Sequence, residues 1–203
     1  MGVLELLSQH VREIVDSRGQ IVHQNGNRQS IEGEVQVRWV KPPFCTIKVN
    51  CDGAWCKQTS VEGCGWVAMD FVGIFKAVGC MGNIRCGSSL MAEAETLRLA
   101  LMACVELGFG VLQFETDLKV LVDMINGVLA SEAALEGILW DMNLTRQQLS
   151  SVEFLFTPRA CNGAAHQVAS YVTRVGDFHL WDRFEPEWLF NTLAFDVNMS
   201  IHL

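Results

Sequence analysis

Three short stretches of alternating apolar and polar residues, Thr46–Cys51, Gly65–Phe71 and Gly73–Cys80, are joined by short glycine-bearing connections. That is the pattern of an antiparallel meander. Beyond Cys80 the period becomes helical. "LMAEAETLRLALMACVELG" puts Leu97, Leu101, Cys104 and Val105 on one helical face and stops at Gly108. Next come the strand "VLQFETD", the short amphipathic helix "LKVLVDMINGVL", and a longer helix over about Glu132–Leu149 whose apolar side carries Leu135, Ile138, Leu139 and Met142. "SVEFLFTPR" reads as one more strand and "NGAAHQVASYVTRV" as a final helix. A meander followed by strands alternating with helices constrains the chain to the α/β class, with a five-stranded mixed sheet whose later strands are parallel and covered by helices.

Size limits this to one core. With 203 residues, 50% of them hydrophobic, the chain fills one domain and is too short for two with a linker. Residues 1–40 are expected to form a helical lead-in near Val3–Val15 and the polar linker Asp16–Gly33, residues 41–176 the domain, and residues 177–203 an acidic tail that packs on it or extends it. No apolar run approaches the roughly 20 residues of a membrane span, and the N-terminus lacks the basic start and apolar stretch of a signal peptide. An intracellular protein is expected, with nucleus and cytoplasm equally open. The eight cysteines contain no C-x-x-C pair, so reduced thiols are expected and a zinc site is not. The net charge of -8 argues against a phosphate-binding partner, but half of that excess lies in the tail, where one Lys+Arg faces five Asp+Glu.

Three acids occupy corresponding places in this layout. Asp52 ends the first strand, Asp117 ends the fourth, and Glu93 sits in the first turn of the helix between strands three and four. Right-handed crossovers allow strands one and four to be neighbours, which brings their carboxyl ends together where ligands of open α/β sheets bind. Clustered carboxylates repel and call for a cation; oxygen donors with little sulphur or imidazole suit Mg²⁺ or Mn²⁺. Taken singly, each acid has a plainer reading. Asp52-Gly53 is a common turn pair, Glu93 is favoured near a helix N-terminus, Asp117 can cap the helix beginning at Leu118, and His166 alone is a half-exposed helix residue. The glycines of "GCGWV" point to close backbone approach in a strand, and Cys161 precedes a helix but has no neighbour in sequence that marks it as a nucleophile.

Together the segments "IKVNCDGAW", "GCGWV", "MAEAETLRLAL", "FETDLKVLVDMI" and "FLFTPRACNGAAHQVASYV" resemble, in order and spacing, the type 1 ribonuclease H domain. The likeness is greatest to the plant group related to the C-terminal part of non-LTR retrotransposon reverse transcriptases. It runs from about Trp39 to Asp196 and includes "RWVKPPF" and "WDRFEPEWLFNTLAFD" as flanks. The resemblance implies an enzyme that hydrolyses the RNA strand of an RNA–DNA hybrid with two divalent ions, Mg²⁺ or Mn²⁺; a monomer is expected. Asp52, Glu93 and Asp117 match three of its four acidic, metal-holding positions. Ser88 and Ser89 match positions that contact the hybrid in the minor groove. Gly53, Arg159 and Asn162 join them as expected substrate-binding residues, Gly53 through close backbone access and Arg159 as the nearest cation to a phosphate.

The chain departs from the family pattern in four respects. The fourth acidic position, four residues after Asn162, is His166, and the usual Ser after the second Asp is Leu118. A flexible His-bearing loop is replaced by the short "TPRACN", and a basic handle helix is missing. Imidazole is a poor Mg²⁺ ligand, so weaker activity or a preference for Mn²⁺ is expected. The competing expectation is a catalytically degenerate, retroelement-derived module that binds nucleic acid or protein.

Overall fold

A computed structural model describes residues 39–198, so the expected helix near Val3–Val15 and the linker Asp16–Gly33 lie outside the described residues. The elements are β1 (Ile47–Cys56), β2 (Val61–Met69), β3 (Phe75–Arg85), α1 (Ser89–Glu106), β4 (Val111–Thr116), α2 (Lys119–Ile125), α3 (Glu136–Arg146), β5 (Ser151–Phe156), α4 (Gly163–Val175), β6 (Phe178–Trp181) and α5 (Glu187–Asn198). Short 3₁₀ turns precede α3 and α4 at Ala133–Leu135 and Arg159–Cys161. The class and the element order agree with the sequence pattern. The sheet has six strands rather than five, in the order β5-β4-β1-β2-β3-β6. The extra strand comes from the acidic tail, which pairs antiparallel with β3 from Val78↔Trp181 to Met81↔Phe178.

Register explains how the sheet builds a site. β1 is antiparallel to β2 but parallel to β4, with Asn50 opposite Glu115. Counting two residues on from that pair places Asp52 beside Asp117. β4 has stopped by then, whereas β1 continues to Cys56, held by β2 alone. Asp52 therefore does not end its strand, as the alternation implied; it lies inside β1, opposite Gly65, where the neighbouring strand has given out. The hairpin turn falls later, at residues 57–60, and the reading of Asp52-Gly53 as a turn pair is set aside.

Helices cover both faces of the sheet. On one face Leu97, Leu101 and Cys104 of α1 pack with Val49, Phe114 and Phe154, and Leu121 and Met142 close that core. The phenyl rings of Phe114 and Phe154 stack at 5.4 Å and join β4 to β5. On the other face Val168 and Val172 of α4 meet Val67 and Val78 of the sheet and Leu189 and Leu193 of α5. The glycines of "GCGWV" make that second layer possible. A Cβ on Gly65 would stand 2.3 Å from the backbone nitrogen of Ala169, a separation no side chain tolerates, so α4 rides directly on β2.

Two tethers fix the ends of the domain. Lys48 is 1% exposed, and its ammonium pairs with Glu115 at 2.5 Å, donates to the Val40 carbonyl and lies 4.8 Å from the centre of the Trp39 ring. Asn50 bridges Glu115 and the Trp39 indole, so the segment leading into β1 is held by a satisfied buried network. At the other end Asp196 of α5 accepts from the Ala164 N–H at 2.9 Å and caps the start of α4. All eight cysteines are free thiols, as their spacing implied. Among the described residues no helix is long and apolar enough to cross a membrane.

Candidate active site

Asp52, Glu93 and Asp117 converge at the end of β4. Each offers a carboxylate oxygen within 4.8 Å of the others'. The helix carries Glu93 there for a local reason. Ser88 caps α1 by accepting from the Met91 N–H at 3.2 Å, which starts the helix at Ser89 and puts Glu93 in the second turn, not the first. Gly53 lets that turn approach, since a Cβ on it would lie 2.9 Å from the Ala92 carbonyl carbon and 3.0 Å from the Glu93 nitrogen. Its N–H then donates to the Glu93 carboxylate, and the Thr116 hydroxyl donates to Glu93 Oε2 at 3.1 Å. Asp117 caps nothing: α2 starts at Lys119 with Leu118 in the cap position and no side-chain cap bond.

Crowding these acids has an electrostatic cost that falls on Glu93. Burial, followed by the negative charges of Asp52 and Asp117, pushes its carboxyl up to about 8, against the favourable bonds from Gly53 and Thr116. Asp52, 2% exposed, is also raised by burial, with His166 opposing the shift. A crowded set of oxygen donors, one of which prefers to hold a proton at neutral pH, is suited to exchange that proton for a divalent cation, and hard oxygen ligands select Mg²⁺ or Mn²⁺ over softer metals. The residues present thus fit a divalent ion on charge and donor type.

The position of the expected fourth acid is filled by an imidazole instead. His166 Nδ1 lies 3.0 Å from Asp52 Oδ2, and Arg159 donates to Asp117 Oδ2 at 3.2 Å. His166 and Arg159 line an open groove of about 720 Å³ with Asp52, Ser89, Glu93 and Trp55. Ser88 and Ser89 divide their tasks, Ser88 capping α1 while Ser89 faces the groove. Asn162 does not reach the groove as expected. It is 1% exposed and donates to the Cys51 carbonyl at 2.8 Å, tying the start of α4 to β1 beside Asp52. Cys161 is likewise buried, and burial raises its thiol, which removes it as a nucleophile. Gly53 lines the groove as well as admitting α1.

Sequence reasoning missed Thr116, Trp55 and Asp196. Thr116 carried a usable signal, a hydroxyl directly before the second Asp in "FETD". Trp55 donates its indole N–H to the Cys86 carbonyl, which holds the ring at the groove wall, and Asp196 acts from the tail; neither pairing has a local signature.

Solved structures with this architecture include RNase H1 from the halophilic archaeon Halobacterium salinarum NRC-1, with a TM-score of 0.60 at 21% identity over 64% of this chain and 98% of that one. The N-terminal RNase H domain of a Mycobacterium tuberculosis protein, solved as a fusion with maltose-binding protein, gives 0.59 at 20% identity over 64% and 94%. LC11-RNase H1 in complex with an RNA/DNA hybrid gives 0.57 at 20% identity over 62% and 94%. At these identities the likeness is one of fold. No curated protein matches the sequence. A family profile described as reverse transcriptase-like matches residues 50–172, from the middle of β1 to the last turns of α4. That match spans more than half of the chain, which therefore has a ribonuclease H-like fold and belongs to the reverse transcriptase-like family.

Proposed function

We propose that this protein is a ribonuclease H-type endonuclease that hydrolyses the RNA strand of RNA–DNA hybrids, using two divalent ions, Mg²⁺ or Mn²⁺. The observation that carries the reading is the meeting of Asp52, Glu93 and Asp117 within 4.8 Å at the edge of an open groove, on a ribonuclease H-like fold. A hybrid as ligand is supported by the neighbour crystallised with one. When held by these carboxylates, divalent ions supply the charge that activates an attacking water and offsets the charge on the leaving 3′-oxygen.

The chain's own residues set up the rest. Gly53 and Thr116 orient the Glu93 carboxylate with two hydrogen bonds, so its oxygens are aimed before any ligand arrives. Asn162 anchors α4 to β1 and so fixes where His166 stands relative to Asp52. Ser89, exposed at the groove, is placed to meet the 2′-hydroxyls that distinguish RNA, and selection by shape makes cleavage largely independent of sequence. Arg159, also at the groove, is the cation available to a backbone phosphate.

One observation favours the rival reading of a non-catalytic binding module: His166 hydrogen-bonds to Asp52 in the place where a fourth carboxylate is expected. The two readings separate on a labelled RNA–DNA hybrid set beside an RNA duplex and a DNA duplex of the same sequence, in Mn²⁺. The nuclease reading expects the RNA strand of the hybrid alone to be cut; cleavage of none of the three supports the binding module. His166→Asp restores an oxygen donor and is expected to raise the Mg²⁺-supported rate by about tenfold or more. An unchanged or lower rate would show that His166 is not where metal affinity is lost.

A further inference from the structure

Arg159 and His166 do more than line the groove. Nη2 of Arg159 lies 3.1 Å from Nδ1 and 3.4 Å from Nε2 of the same imidazole. A guanidinium aimed at one ring lone pair would leave the other nitrogen clearly farther away, so Nη2 stands over the face of the ring. Such stacking suits a planar, delocalised cation. It also leaves Nδ1 free to carry the proton that the Asp52 carboxylate accepts, at 3.0 Å. Through Nη1 the same guanidinium reaches Asp117 Oδ2 at 3.2 Å. The links Asp52 to His166, His166 to Arg159 and Arg159 to Asp117 thus form an arch over the mouth of the cluster. Two of its three carboxylates, Asp52 and Asp117, are engaged by the arch itself.

We propose that this arch is a displaceable internal counter-cation: Arg159 holds Asp117 in the ion-free protein, and a divalent ion entering the cluster evicts it and frees it for a hybrid phosphate. The inference rests on reading the cluster as a divalent-ion site. Arg159 is suited to exchange, because its side chain is 64% exposed while Asp117 is 12% exposed. It can swing into solvent and leave the carboxylate behind. Because a guanidinium released from Asp117 is freed for a phosphate, and one drawn towards a phosphate leaves Asp117 open to the ion, ion entry and phosphate capture are coupled with positive sign, each favouring the other.

The same exposure sets the size of the effect, since ion pairs open to solvent are weak. Mn²⁺ alone, without nucleic acid, is the probe, followed by the electron paramagnetic resonance of free Mn²⁺ as protein is titrated in. Arg159→Ala is expected to bind about two- to fivefold more tightly than wild type. Lys119→Ala removes an equal charge from a residue that pairs with Asp123 at 2.7 Å, and should change affinity less. Asp117→Asn should bind more weakly than wild type. Arg159→Ala binding no more tightly than wild type, or Lys119→Ala tightening binding as much as Arg159→Ala, overturns the arch. If either result accompanies wild-type binding that Asp117→Asn weakens, the divalent-ion reading stands without it. Absence of Mn²⁺ binding by every protein overturns both.

Discussion

Lys48→Met is expected to destabilise the domain by about 3–5 kcal/mol, the larger of the two stability effects expected for this chain. The reason lies in what stays behind. The ammonium is fully enclosed, and its removal leaves the Glu115 carboxylate, itself 7% exposed, with only the Asn50 amide as a hydrogen-bond donor among the described residues. It also frees the Val40 carbonyl and takes the cation from the Trp39 ring, loosening the segment that enters β1. Removing both charges differs from removing one. A Lys48→Met/Glu115→Leu variant is expected to recover most of the loss, because no unpaired charge then remains inside. Urea unfolding of the four proteins of this cycle measures the difference. Equal destabilisation by the single and the double change would show that the pair contributes through packing rather than charge.

Glu93→Gln is expected to separate stability from activity. The carboxyl is pushed up to about 8 in the folded protein, above its ordinary value of 4.5. An acid with a raised folded value contributes fully below its unfolded value, and that contribution is lost as pH rises towards and through about 8. Wild-type protein in a chelator should therefore weaken between pH 5 and pH 9 relative to the glutamine variant, by about 2–4 kcal/mol at the upper end. The amide oxygen can still accept from Gly53 and Thr116, and the amide NH₂ meets Asp52 and Asp117 without adding charge. Cleavage of a hybrid should fall by at least about a hundredfold, since a lost charge-stabilising donor costs several kcal/mol in the transition state. Thermal unfolding against pH and a cleavage rate check the two halves. A variant less stable than wild type at pH 9 would contradict the crowding of negative charge described for this site.

Much of the fold was legible because two periodicities carry it. Alternation located β1 to β3, and the helical spacing of Leu97, Leu101 and Cys104 located α1. From those elements, the convergence of Asp52 with Asp117 followed from strand adjacency alone. The extent of β1 was not legible. Asp52 to Cys56 stay in the sheet through backbone bonds to β2, and backbone pairing leaves no mark on side-chain pattern. β6 escaped for a similar reason, as four residues in a short tail have no signal of their own until β3 offers an edge. The buried Lys48 was equally hidden, because its partner Glu115 lies on another strand. The Arg159 arch depends on where the turn before α4 sets a long side chain, which spacing in sequence does not fix.

If Asp52, Glu93 and Asp117 hold divalent ions that cut RNA paired with DNA, cleavage must depend on both the metal and the carboxylates. The most direct test incubates purified protein with an RNA–DNA hybrid labelled on the RNA strand, in Mn²⁺, in Mg²⁺ and in chelator, beside Asp117→Asn. The expected result is cleavage by the wild-type protein with metal, faster in Mn²⁺ than in Mg²⁺, none in chelator, and a rate at least about a hundredfold lower for the variant. Cleavage by both proteins alike, or by neither under any condition, would contradict it.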